Sequence, residues 1–285
     1  MPLLDWMRTE LNSPVANGGA YLRFSAFRMA AFEICMLGRA EAENDYPADV
    51  IARARDWYTA SNDEDQKNLL NSILLGMPGA YDRYDIEGLR SAIDTYRGLD
   101  AADIRVNYQR FLHEVIPTAQ DLGLRLCVHP DDPPRDIFGL PRIVSDAEDI
   151  AWIMDAYDAP ANGLTLCSGS LGANPANNVV EIARTFSNRI HFAHIRNVPK
   201  DPDGSFEEAE HLRGDMDIPA LCRILLEEEK VRKTEARPDW QIPFRPDHGH
   251  ELLSDPQKKT FPGYLLIGRL RGLAEVRGVL HALSA

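Results

Sequence analysis

From Gly123 onward the chain alternates short, β-prone apolar runs with segments of helical period, and that alternation restricts its second half to parallel βα units. The runs are residues 124–129 (LRLCVH), 164–167 (LTLC), 190–195 (IHFAHI) and 242–244 (IPF). Helical segments separate them at 146–157, 179–187 and 218–229, and a last one at 269–283 closes the chain. The fold class expected from this pattern is α/β, without an internal repeat of short period.

Before Gly123 the pattern is helical and nearly strandless. Tyr21, Phe24, Phe27, Met29, Ala31, Phe32 and Met36 recur at helical spacings, which predicts one helix over 20–39. Pro47 sits where a first-turn proline is tolerated, ahead of a second helix through Trp57 and Tyr58. Asn62 is placed to cap a third, which Met77-Pro78-Gly79 would end, and a fourth is expected near 86–96. A fifth, over 102–122, would set Ile104, Val106, Tyr108, Phe111, Leu112, Val115 and Ile116 largely on one side. It would bend at Pro117 and close at Gly123.

Composition narrows the functional classes. Of 285 residues, 44% are hydrophobic and 26% charged, enough for a core of substantial size. A formal charge of −13 argues against wrapping nucleic acid, where phosphate contacts call for a Lys/Arg excess, and against docking on anionic lipid. No apolar run approaches the ~18 residues of a membrane span, and Met1 opens no signal-peptide pattern. The expectation is a cytoplasmic protein with no nucleic-acid or membrane partner. Cys35, Cys127, Cys167 and Cys222 form no CxxC pair and read as reduced thiols, mostly core fillers.

Each β-prone run delivers a residue able to bind metal at its C-terminal side. LRLCVHPDD delivers His129, LTLCSGS delivers Cys167, IHFAHIRN delivers His194, and IPFRPDHGH delivers Asp247 with His248 and His250 behind it. In parallel α/β barrels the active site is built at the C-terminal ends of the strands, so one such residue from each of four strands would converge there. A mixed nitrogen, sulfur and oxygen set suits a divalent transition ion. Taken singly, each has a plainer reading, as a packed histidine, a buried free thiol or a polar turn. His113, His191, His211 and His281 do not share this placement and read as structural or surface residues. Asp131-Asp132-Pro133-Pro134 would stiffen the loop after His129. Ser168-Gly169-Ser170 would offer small donors to a polyol or carboxylate, or form an ordinary βα turn. No dinucleotide fingerprint, Walker loop or nucleophile elbow is present.

HPDDPPRDIFGLPRIVS, GLTLCSGSLGANPANN, RIHFAHIRNV, RPDHGH and PGYLLIGRLRGLAEVRG resemble the mannonate dehydratases of hexuronate catabolism, the type with a xylose-isomerase-like barrel. The resemblance runs from about Asp5 to Leu280. It implies a (β/α)8 TIM-type barrel, one divalent ion (Mn2+ or Fe2+) and the dehydration of D-mannonate to 2-keto-3-deoxy-D-gluconate, a carbon–oxygen lyase reaction. It makes His129, Cys167, His194 and Asp247 the metal ligands and His248 and Tyr264 the acid–base pair. Arg196 and Arg245, beside ligands, would steer the substrate carboxylate or form salt bridges within the barrel, and Ser168 and Ser170 would contact substrate.

Only four βα units are recognisable, and MPLLDWMRTEL resembles the segment just after the family's fourth strand. The expected architecture is therefore a single, N-terminally incomplete barrel-type domain over 1–285, with a helical cap over 13–100 and active-site βα units over 101–285. Its inner face would carry Leu166, Phe192 and Phe244. An open sheet exposes edges, so the chain is expected to form homo-oligomers, as a dimer. Two other readings share the motifs, a metal-dependent sugar isomerase or epimerase and an inactive remnant that binds metal or a partner.

Overall fold

A computed structural model of the chain describes residues 6–16, 18–76, 85–255 and 260–284. The segment predicted as one helix over 20–39 is instead a strand followed by two short helical turns. Strand β1 (Glu10–Pro14) pairs antiparallel with β2 (Ala20–Phe24), with Ser13 opposite Tyr21. Helix α1 (Ala26–Ala31) then passes into a π-helical turn, Phe32–Met36. The aromatic spacing that suggested a helix over 20–39 arises because Leu22 and Phe24 alternate inward from a strand before Met29 and Phe32 point inward from the helix.

Helices α2 (Ala48–Ala60), α3 (Asp63–Leu75), α4 (Ile86–Asp94) and α5 (Ala101–Asp121) follow. Asn62 caps α3 as expected, accepting from the Glu64 and Asp65 amides while the Asp65 carboxylate accepts from the Asn62 amide. Met77-Pro78-Gly79 lies outside the described residues. Pro117 is housed inside α5, and Gly123, at φ +68°, ends it in the left-handed conformation that a residue without Cβ adopts at no steric cost. Val106 and Phe111 are exposed, against the expected single apolar side; Leu112, Ile116 and Ala119 make the buried stripe.

The parallel sheet is built from β3 (Leu126–Val128), β4 (Asn162–Cys167) and β5 (Ile190–Ile195), with α6 (Ala147–Ala156), α7 (Ser168–Gly172) and α8 (Val179–Thr185) in the connections. A two-residue strand β6 (Phe206–Glu207), helix α9 (Ile218–Thr234), strand β7 (Phe244–Pro246) and helix α10 (Leu266–Ser284) complete the order. Among the described residues the parallel sheet has four strands, in the order β3-β4-β5-β7, and β1-β2-β6 form a separate antiparallel sheet. Leu164, Leu166, Ile190, Ala193 and Ile195 pack on the helix side, against Ile150, Ile153, Leu221 and Val276. Leu166 thus faces the helices and not the inner face, and Phe244 packs with the same cluster. Phe192 lies on the opposite face, its ring 5.2 Å from that of His194.

A second apolar cluster joins α1–α4 to Ile137, Phe138 and Leu140, which follow β3, and to Val198 and Phe206, which follow β5. The helical segment is thereby seated on the loops at the C-terminal ends of the strands. No helix among the described residues is long and apolar enough to cross a membrane.

Candidate metal centre and acid–base site

The register of the parallel sheet assembles the centre. Cys167, the last residue of β4, is paired with His194 of β5, so the two side chains leave the same face side by side. His129 follows β3 on that face. One ligand atom from each of His129, Cys167 and His194 lies within 4.8 Å of the others, and His129 Nε2 is 3.2 Å from His194 Nδ1. Asp247 follows the end of β7, whose Arg245 is paired with His194, and its Oδ2 is 3.8 Å from His194 Nδ1. The carboxylate thus adjoins the three-residue group through His194.

The electrostatics of this group suit a cation. Burial opposes ionisation of Cys167, but His129, His194 and Arg196 outweigh it and hold the thiol well below its ordinary range. Burial likewise opposes a charge on His129, yet the adjacent thiolate pushes the imidazole up to about 9. Asp247 is held below the usual carboxylate range against its own burial by His248, His194, Arg196 and Arg245. A thiolate, two imidazoles and a carboxylate fit a divalent transition ion, which would take the place of the proton now balancing the thiolate.

His248 follows Asp247 directly, and both are buried. Strand β7 ends at Pro246, so strict alternation no longer separates the two side chains. His248 Nδ1 lies 2.9 Å from Glu208 Oε1, and its ring meets Tyr264 edge to face at 5.1 Å. The Tyr264 ring also lies 5.7 Å from the Arg245 guanidinium and 5.4 Å from that of Arg269. The two residues named for acid–base work are therefore neighbours.

The residues named for substrate contact divide. Ser168 is fully buried, donates to the Arg196 carbonyl at 2.6 Å with the His194 carbonyl 3.2 Å away, and accepts from the Arg196 amide, so it ties β4 to β5. Ser170 donates to Cys167 Sγ at 3.1 Å and accepts from Arg196 Nη1. Arg196 is 1% exposed, with Nη1 2.7 Å from Asp132 and Nε 2.7 Å from Glu208. It forms an internal salt bridge, one of the two roles expected for it. Gly169 makes room for this, since a Cβ there would lie 2.5 Å from Arg196 Cγ. Arg245 is half-buried, donates to Asp247 Oδ1 at 2.8 Å and keeps an accessible face beside the centre. Of the remaining histidines, His250 donates from Nε2 to the Glu208 carbonyl at 2.8 Å.

Sequence reasoning missed the buried ring of charge beneath the site. Arg8 bridges Asp132 at 3.0 Å and Glu208 at 2.7 Å, and Arg196 bridges the same two carboxylates from the other side. Two cations and two anions close a neutral circuit, which is how buried charges are tolerated. Glu208 lies in the run FEEAEH, whose acidity reads as a solvated surface; it is buried because β6 pairs with β2 and its amide donates to the Leu22 carbonyl.

Fold and site together define an α/β protein with a parallel sheet and a possible metal centre at its strand ends. The sequence model of D-mannonate dehydratase (UxuA) matches residues 1–285. A mannonate dehydratase of Chromohalobacter salexigens is 44% identical over 285 residues, covering 100% of this chain and 72% of that one. One from a Marinomonas species is 44% identical over 280 residues, 98% of this chain and 71% of that one. The crystal structure of mannonate dehydratase from Streptococcus suis serotype 2 is similar, with a TM-score of 0.68 at 28% identity, over 99% of this chain. This chain spans 63% of that solved chain. The chain belongs to the D-mannonate dehydratase family, a family of carbon–oxygen lyases.

Proposed function

We propose that this chain dehydrates D-mannonate to 2-keto-3-deoxy-D-gluconate, a step of hexuronate catabolism, at the centre formed by the strand ends. The observation that carries the reading is the convergence of His129, Cys167 and His194, with Asp247 at His194, in a chain of this family. These four residues would hold one divalent ion, manganese or ferrous iron, which when bound supplies stabilisation of the negative charge that develops on the substrate.

Loss of water from a 2,3-dihydroxy acid requires removal of a weakly acidic proton at C2 and assistance to hydroxide leaving C3. His248 and Tyr264 divide these two proton transfers. Arg245 orients the substrate carboxylate from its accessible side, and Ser170 orients the Cys167 sulfur. The four-stranded sheet supplies one wall of a TIM-type barrel, and the helical segment seated on the strand-end loops caps it. Exposed Leu124 and Leu126, at the β3 edge, favour a homodimer that covers them.

The test is to incubate the full chain and D-mannonate with manganese or ferrous iron and to identify the product by mass and NMR. A 2-keto-3-deoxy acid, one water lighter than substrate, is expected. An isomeric sugar acid of unchanged mass would replace this reading with an isomerase or epimerase. Bound metal without turnover would replace it with a binding role.

A further inference from the structure

We propose that Glu208 is the positioning residue of His248, fixing its tautomer and ring orientation so that Nε2 takes the C2 proton. This rests on the reading above that His248 transfers a proton. Glu208 is 2% exposed and its carboxylate is gripped from three sides. Oε1 accepts from Arg8 Nη2 at 2.7 Å and from His248 Nδ1 at 2.9 Å, and Oε2 accepts from Arg196 Nε at 2.7 Å. Burial alone would raise its pKa, but Arg196, His248 and Arg8 hold it well below the usual carboxylate range. An ionised carboxylate can only accept, so the shared proton sits on Nδ1 and the Nε2 lone pair is left as the basic site.

The surroundings fix the geometry as well as the tautomer. Main-chain bonds pin Glu208 at both ends, its amide donating to the Leu22 carbonyl and its carbonyl accepting from His250 Nε2. The imidazole is held edge to face by Trp6 at 5.8 Å and Tyr264 at 5.1 Å. Gly263 closes over it, with φ at +81° and space for a Cβ only 3.2 Å from His248 Cδ2. These contacts and the Nδ1 hydrogen bond oppose a flip of the ring that would exchange its nitrogens.

The division of labour follows. The C2–H bond breaks and its proton passes to His248 Nε2, forming an imidazolium opposite the Glu208 carboxylate. The electron pair forms the C2–C3 double bond as the C3–O bond breaks, and the departing hydroxide takes the Tyr264 phenol proton and leaves as water. Tautomerisation of the enol returns the His248 proton to C3 and the C2 hydroxyl proton to the Tyr264 oxygen, so both groups are restored and one water has been lost.

A double-mutant cycle on the full, metal-loaded chain tests the link. We expect E208Q to lower kcat by at least about 100-fold, as when a histidine base loses its carboxylate partner, with KM changed less than about 3-fold. The pair E208Q/H248N should be no slower than H248N alone. Multiplying losses would show that Glu208 acts structurally and overturn the proposal. Full turnover in H248N would overturn the acid–base reading itself, and the proposal with it. Where E208Q does not fold, 15N-histidine NMR of the unsubstituted chain with magnesium decides, with H248N identifying the signal. Nδ1 should carry the proton, and an unprotonated Nδ1 overturns the proposal.

Discussion

Cys167 is a fully buried thiol whose neighbours keep it ionised, while the thiolate in turn keeps a proton on His129. Metal binding should therefore displace about one proton, from His129, and none from Cys167. Affinity for Mn2+ is expected to rise with pH up to about 9 and to level off above it, where the folded imidazole has lost its proton. Calorimetric titration in buffers of differing ionisation heat measures that release, and a count of two would contradict the thiolate assignment. Cys167→Ser should weaken binding by more than about 100-fold, since even the loss of residues that merely support ligands costs 10- to 100-fold. His248→Asn and Tyr264→Phe should each lower kcat by about 10²–10⁴-fold with metal content unchanged. Retained activity in either would remove that residue from the mechanism. The grouping of His129, Cys167 and His194 was legible in the sequence because each lies at the C-terminal side of a β-prone run. Glu208 and Arg8 were not legible, since a buried charge is marked only by its partners, and those lie at Asp132 and Arg196, distant in sequence.

The βα units show which elements a sequence announces. β4 and β5 are apolar, bounded by turns and separated by amphipathic helices, so their period names them. β1 is ELNSP, polar and proline-ended, and exists because β2 lies opposite; β2 in turn shares its aromatic spacing with the helix that follows. Tertiary pairing overrode local pattern there. The hairpin matters to the site, because β2 pairs with β6 and so delivers Glu208. The turn from β4 into α7 carries the sharpest steric demand. In Gly169→Ala the new Cβ would stand 2.5 Å from Arg196 Cγ, so the buried arginine must move. Destabilisation of about 1–3 kcal/mol is expected from denaturant unfolding, with a matching loss of turnover. An unchanged midpoint and full activity would show that the turn has slack.

At the scale of the whole molecule, two histidines outside the centre set a pH limit on stability. Burial lowers His191 to about 4 and His211 to about 4, from an ordinary value of 6.5. Above pH 6.5 both are neutral folded or unfolded and contribute nothing. As pH falls from about 6.5 to about 4, the unfolded chain binds protons that the folded chain refuses, so stability is lost across that window. His129, raised to about 9, acts in the other sense but only between about 9 and 6.5, and adds no slope below. His191 and His211 should each cost about 2 kcal/mol by pH 5. Replacing His191 by Gln, which can still donate to the Pro160 carbonyl, should flatten the unfolding free energy between pH 6.5 and 5. A slope unaltered by that change would assign the acid sensitivity elsewhere.

The proposed function requires strand ends distant in sequence to converge on one ion. Anomalous scattering from a manganese-soaked crystal tests it most directly. A single strong peak is expected in contact with Cys167 Sγ, the imidazoles of His129 and His194, and the Asp247 carboxylate. A peak elsewhere, or one that leaves Cys167 or Asp247 out of contact, would contradict it.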